Sequence, residues 1–255
     1  MTPRHLFLRV AMRTVGLLSD GIRLGFREGF DSGSMVDYVY RARASGITPL
    51  GRLIDRSMLR HPVWAGVRAR RELLIGQLRA ALVATGTAAP ALFDMAAGPG
   101  SYLFALPPGE LWAADIDPDE VRRGEARAAR DGRSDIRFVV ADAFDPATWP
   151  RRRFDVLVAS GFFDILVDGR DVERVLDAGT AASGPGTRWV FTVMERHPDL
   201  ALLRDVLVDF DGRPWEAVTR SADEVLALAA SRGWGLERLE REGRGYFAVA
   251  TMVRR

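Results

Sequence analysis

The chain has 255 residues, 47% of them hydrophobic, which supports a sizeable core in one large domain or one domain with an appendage and argues against disorder. There is no cysteine, so disulfides and cysteine-ligated metal are excluded, and the formal net charge is only +2. All 36 basic residues are arginine and are interspersed with 34 acids, so no basic block marks a nucleic-acid partner. No apolar run reaches the roughly eighteen residues of a membrane span. The N-terminal apolar residues are too interrupted by Arg4, Arg9 and Arg13 for a signal-peptide core. A cytoplasmic location is expected.

Residues 1–88 read as helical and irregular, with no strand alternation. Asp31-Ser32-Gly33-Ser34 is a helix-entry signal, with Ser34 as N-cap before Met35. Gly46 to Gly51 breaks the pattern, Arg52 to Arg56 starts another helix, and a long helix is predicted from Val63 to about Ala84. Trp64, Val67, Leu74, Leu78 and Leu82 recur there at helical spacing. From residue 90 strands and helices alternate, the signature of a parallel α/β sheet. Helices are predicted at 119–130, 169–182, after Pro198 to about 208, and from the N-cap Ser221 to Arg232. Thr187–Val193 reads as a fifth strand, and 236–239 with 246–253 as a closing antiparallel hairpin. The expected fold is α/β: a Rossmann-like, seven-stranded, mostly parallel sheet (89–255) with a helical N-terminal cap or lid (1–88).

The organising stretch is Ala91 to Leu103, an apolar strand, a carboxylate, a small-residue turn and an expected helix start. Asp94, Ala96, Ala97, Gly98, Gly100 and Tyr102 mark it as a cradle whose backbone a ligand can approach closely, with unpaired N–H groups facing outward. The third glycine of a phosphate-binding G-x-G-x-x-G is Leu103 here, and no P-loop lysine follows, so a ligand without phosphate is favoured. Asp115, followed by Ile116, ends the second strand near the spacing at which an acid accepts ribose hydroxyls. Asp142 and Ala143 end the third strand, where a polar group can hold an adenine amino group. Ser160 lies in the small-residue end of the fourth.

Four strand ends in this order resemble the class I S-adenosylmethionine-dependent methyltransferases. A narrower likeness is carried by Ser19-Asp20-Gly21-Ile22, Gly29 to Tyr40, Gly51 to Arg56 with Trp64 to Arg68, Asp94 to Gly98, and His197-Pro198 with Asp211-Gly212, Trp215 and Arg220-Ser221. These resemble the methyltransferase domain that bacteria often carry fused behind an α/β-hydrolase. No hydrolase accompanies it here, and a stand-alone enzyme is expected. The family's turn runs Gly-His-Gly-Arg-Tyr where this chain has Gly98-Pro99-Gly100-Ser101-Tyr102, and its Gln-Pro-Trp before His-Pro is replaced by Met194-Glu195-Arg196.

The resemblance implies transfer of a sulfonium methyl from S-adenosylmethionine to a small-molecule or lipid-like acceptor, in biosynthesis. Glu195, His197 and Asp164 are the candidate bases. Tyr38, Tyr40, Arg56, Trp64 and Arg68 are the candidate substrate-pocket residues. No His, Asp and Glu grouping has metal-ligand spacing, so no metal is expected. A homodimer is left open. Two alternatives stand beside methyl transfer. One is cyclisation of the aminobutyrate moiety to a four-membered cyclic amino acid with release of methylthioadenosine. The other is a non-catalytic binding scaffold.

Overall fold

A computed structural model describes all 255 residues. The elements in chain order are helices α1 (Pro3–Arg13), α2 (Asp20–Glu28), α3 (Gly33–Arg41), α4 (Pro49–Leu59) and α5 (Pro62–Ala84), strand β1 (Ala91–Asp94), β2 (Glu110–Asp115), α6 (Pro118–Asp131), β3 (Ile136–Val140), β4 (Val156–Ala159), α7 (Gly169–Ala181), β5 (Arg188–Met194), α8 (Leu200–Val206), α9 (Ala222–Ala230), β6 (Trp234–Arg241) and β7 (Phe247–Arg254). They fall into two compact units. One comprises residues 1–69 with 197–218, the other residues 70–196 with 219–255. The boundary expected at residue 88 thus lies at residue 69, inside α5, and the 197–218 segment belongs with the N-terminal helices. Helical periodicity runs unbroken through α5, so nothing in the sequence marks that division.

The second unit is built on a seven-stranded sheet of order β3-β2-β1-β4-β5-β7-β6. The first five strands are parallel, and β7 pairs antiparallel with both β5 and β6. Strand alternation sends neighbouring side chains to opposite faces. Leu92, Leu111, Val156 and Val158 pack with Leu74, Ile75, Leu78 and Leu82 of α5 and with Val121 of α6. Phe93, Leu157, Trp189 and Phe191 pack with Val172, Val175 and Leu176 of α7 and with Val225 of α9.

The helix expected to start after the β1 turn is not there. Only a 3₁₀ turn, Leu103–Ala105, separates the turn from β2. Gly98 and Gly100 both take positive φ, +54° and +62°, which is not helical. Pro107 then holds Leu106 extended, so too few residues remain for an α-helix. The C-terminal part of α5 lines the face such a helix would cover.

The first unit is helical. Serines and threonines cap α1 to α4 and Asp199 caps α8, and α3 begins at Gly33 with Ser32 as the cap, its hydroxyl accepting from Met35 N–H at 3.1 Å, rather than at Ser34. Its centre is Asp55, fully buried and accepting four hydrogen bonds: Ser19 hydroxyl at 2.6 Å, Gly21 N–H at 2.8 Å, Tyr38 hydroxyl at 2.7 Å and Ser45 N–H at 3.0 Å. Every lone-pair direction of this carboxylate is used, which is how a buried charge without a counter-ion is tolerated. Gly29, at φ +92°, lies against the backbone of Phe210, where any side chain would collide. The stretches around Ser19-Gly21, Tyr38 and Asp55 are therefore joined by one structural hub.

Candidate S-adenosylmethionine site

The predicted cofactor residues lie at the carboxyl ends of β1 to β4, all within the sheet unit. Asp94 closes β1 with no exposed surface. Its Oδ1 accepts from Ala96 N–H at 3.3 Å and its Oδ2 from the buried Tyr102 hydroxyl. Burial pushes the carboxyl up to about 7, with the two donors pulling the other way. Asp94 and Tyr102 thus clamp the two ends of the turn to each other.

Several N–H groups of this turn that were expected to face outward unpaired are instead engaged. Ala97 N–H donates to Ala114 carbonyl at 2.8 Å, Gly98 N–H to Asp115 Oδ2 at 2.7 Å, and Gly100 N–H to Ala97 carbonyl at 3.0 Å. The reason is the missing helix: with no helical N-terminus beyond it, the turn satisfies its donors on β2 and on itself. A loop with its donors engaged makes a poor anion hole, which agrees with a phosphate-free ligand.

Asp115 closes β2 one strand away. Oδ1 accepts from Asp117 N–H at 3.0 Å and Oδ2 from Gly98 N–H, so this carboxylate links the turn to the start of α6. Burial raises its pKa and the backbone donors oppose the rise. Each oxygen retains a lone pair for a ligand hydroxyl. The next residue, Ile116, is 67% exposed, a large apolar side chain presented at a strand end. Asp142 follows β3; its Oδ1 accepts from Phe144 N–H at 2.8 Å, and Ala143 beside it is buried. At the end of β4, Ser160 is half-buried, and Gly161 N–H donates to the buried Thr192 hydroxyl at 2.7 Å. The donor set fits an adenosine-type ligand without phosphate: carboxylates for hydroxyl and amino groups and an exposed aliphatic face for a base, beside a turn whose glycines take positive φ.

The three candidate bases are engaged. Asp164, behind β4, is buried; it receives Met194 N–H at 2.6 Å and pairs with Arg70 Nη1 at 3.0 Å. Burial raises its pKa against the pull of Arg70. Glu195 is gripped by Arg241, Nε at 2.6 Å and Nη2 at 2.9 Å, and also receives Ala222 N–H at 3.1 Å. Burial pushes its pKa up, but these donors hold it below the ordinary value. His197 accepts Asp199 N–H at Nδ1, 3.1 Å, so its neutral ring carries the proton on Nε2 and presents a donor there. Burial, helped by the charge of His61, holds His197 down to about 4, so the ring is neutral at pH 7.

In the helical unit, Tyr38 is tied to Asp55, Trp64 is buried, and Tyr40 is half-buried in α3. Arg56 and Arg68 do come together, on one cavity. The sequence reading missed Asp31 as a titratable group, taking it only as part of a helix entry. Burial pushes its carboxyl up to about 7, with Asp209 and Asp211 adding to the rise, and its Oδ1 has no hydrogen-bond partner. Only the fold brings residues 31 and 209–211 together, so no local signal could have shown it.

A family model described as "Putative methyltransferase" matches residues 2–254. The chain belongs to this methyltransferase family. Among curated relatives of this family member is "Uncharacterized protein YnbC" of Escherichia coli K12, 34% identical; the match covers 98% of this chain but 44% of that protein, so the chain spans under half of its relative's length. Among solved structures, a possible exported protein from Bordetella parapertussis superposes with a TM-score of 0.66 at 21% identity, covering 86% of this chain and 79% of the other. Magnesium protoporphyrin IX methyltransferase from Synechocystis, solved with bound S-adenosylhomocysteine, superposes with a TM-score of 0.61 at 14% identity, covering 98% and 99%. The methyltransferase family member thus carries the fold of the class I S-adenosylmethionine-dependent enzymes. No helix in it is long and apolar enough to cross a membrane.

Proposed function

We propose that the sheet unit binds S-adenosylmethionine at the carboxyl ends of β1 to β4 and that the protein transfers its methyl group to a small-molecule or lipid-like acceptor. The observation that carries the reading is Asp115, which joins the glycine turn to the second strand end while keeping lone pairs for a ribose. Bound there, S-adenosylmethionine supplies an electrophilic methyl on a cationic leaving group. Asp115 takes the ribose hydroxyls, Asp142 the adenine amino group, and Ile116 covers the base. Gly98, Gly100, Ala96 and Ala97 leave room for the ligand's chain, and Asp94 with Tyr102 keeps the turn in shape. Ala143 and Ser160 complete the wall.

Positioning supplies most of the acceleration in such a displacement. With Glu195 and Asp164 committed to arginines and His197 presenting a donor, the reading favours an acceptor whose nucleophilic atom carries a lone pair at neutral pH. In the helical unit, His197 presents a donor at Nε2–H and Arg56 with Arg68 lines one cavity, and these are the candidate recognition groups for an acceptor. A cytoplasmic, biosynthetic setting belongs to the same proposal; the cysteine-free composition is compatible with a reducing compartment.

The test is incubation of purified protein with S-adenosylmethionine and fractionated small-molecule extract, read by mass spectrometry. S-adenosylhomocysteine with a product 14 Da heavier than an extract component is the expected result, the mass of a CH₂ gained being about 14 Da. Methylthioadenosine in its place would assign the cyclisation chemistry instead.

A further inference from the structure

Arginines in this chain are mostly spoken for. Those on the sheet unit pair with carboxylates or cap carbonyls, as Arg70, Arg133, Arg188, Arg232 and Arg241 do. One place in the helical unit departs from this. A cavity of about 460 Å³ is lined by Ala42, Arg43, Arg56, Leu59, Arg60 and Arg68, four guanidinium groups with no carboxylate among the lining residues. Arg43, Arg56 and Arg60 are exposed and take part in no ion pair. Arg68 is half-buried, its Nη2 donating to Leu59 carbonyl at 2.9 Å.

The helix dipole accounts for part of this. Arg56 lies in the last turn of α4 and Arg60 is its C-cap, where positive charge is favoured. It does not account for Arg43, which follows α3, or for Arg68, which comes from α5. The bond from Arg68 also covers the α4 terminal carbonyl that would otherwise repel an anion. A second observation falls on the same wall. Ala42 is the one non-glycine residue with positive φ, at 51°. It is the C-cap of α3, where a left-handed residue ends the helix. Here it sets the direction in which the chain carries Arg43 away from α3.

We propose that this cavity is a binding site for a phosphate monoester. One bidentate arginine satisfies a carboxylate, whereas several guanidinium groups are needed to cover the roughly two negative charges and three terminal oxygens of a phosphate monoester. The volume leaves room for part of the organic group it is attached to. The proposal deepens the assignment of Arg56 and Arg68 to acceptor recognition and rests on that reading for the ligand's role as acceptor; the binding itself is independent of it.

The experiment is calorimetric titration of the full chain with inorganic phosphate, glycerol 3-phosphate and citrate, with flotation on phosphatidylcholine vesicles with and without phosphatidic acid. These are run on wild type and on the double variant Arg56→Gln/Arg60→Gln, whose exposed side chains make no other bonds. Saturable binding of glycerol 3-phosphate, weakened at least about tenfold in the variant, is expected for a soluble ligand. Arginine-dependent flotation confined to phosphatidic acid vesicles identifies a lipid source of the same group. No binding in either arm, binding unaltered by the double substitution, or citrate bound as tightly as the phosphate esters overturns the proposal. S-adenosylmethionine titrated into the same two proteins separates the readings: wild type that binds S-adenosylmethionine but no phosphate ester condemns the cavity alone, and the converse condemns only the strand-end site.

Discussion

Replacing Asp115 by alanine isolates the contact on which the strand-end site turns. In the free protein the side chain makes two hydrogen bonds, to Gly98 N–H at 2.7 Å and Asp117 N–H at 3.0 Å. Those bonds shape the turn, and losing them costs stability. In the complex the same carboxylate is assigned two ribose hydroxyls. Hydrogen bonds to a charged group contribute about 1.5–3 kcal/mol each, so Asp115→Ala is expected to lose about 3–6 kcal/mol of binding, or about two to four orders of magnitude in Kd. Asp115→Asn falls short of rescue, because one of its two faces presents an NH₂ toward a backbone N–H. Asp117→Ala is the control: Asp117 caps α6 through Asp119 N–H at 2.8 Å and is exposed, so its loss costs about 1 kcal/mol of stability and leaves affinity within twofold. The assay is calorimetric titration with S-adenosylhomocysteine, circular dichroism confirming that each variant is folded. An Asp115→Ala protein that is folded and binds within threefold of wild type refutes the reasoning.

Three further outcomes are expected. Asp55→Ala strands four donors, two of them fully buried, at the hub of the helical unit and is expected to cost more than about 4 kcal/mol, seen as loss of helical signal at temperatures where wild type is folded. Asp164→Ala leaves Arg70 buried without its partner, at about 3–5 kcal/mol by denaturant titration, whereas Asp164→Asn keeps the acceptor for Met194 N–H and costs less. Asp31 titrates near 7 when folded and near 4 when unfolded, so the folded state holds the proton more tightly between those values. Its stabilising contribution is full below pH 4 and is lost as pH rises through 7. Asp31→Asn is therefore expected to gain about 2–4 kcal/mol over wild type at pH 8 relative to pH 5 in paired thermal melts; an equal effect at both pH values contradicts this.

Strand ends were legible because their chemistry is local. An apolar run closing on Asp94, Asp115 or Asp142 needs only a few neighbouring residues to be read, and the antiparallel ending of the sheet followed from the turn signals around β6 and β7. The helix after β1 was misread because glycine turns of this kind usually open one; the constraint that prevents it, two positive-φ glycines followed within seven residues by Pro107, lies downstream. The pairing of turn donors with Asp115 was hidden for the same reason. Asp55 looked like one acid among many, since its four donors come from positions 19, 21, 38 and 45. The commitments of Glu195 to Arg241 and of Asp164 to Arg70 span 46 and 94 positions, and no spacing rule reaches that far. The helix capped by Ser32 starts two residues earlier than expected because two serines compete for one cap.

The central claim is that the turn after β1, with Asp115 and Asp142, holds a sulfonium nucleoside. Titrating S-adenosylmethionine into the purified wild-type chain in a calorimeter tests it most directly. One saturable site per chain, with affinity in the micromolar range, about −8 kcal/mol, is the expected result. A flat titration at millimolar ligand, from protein shown to be folded, would contradict it.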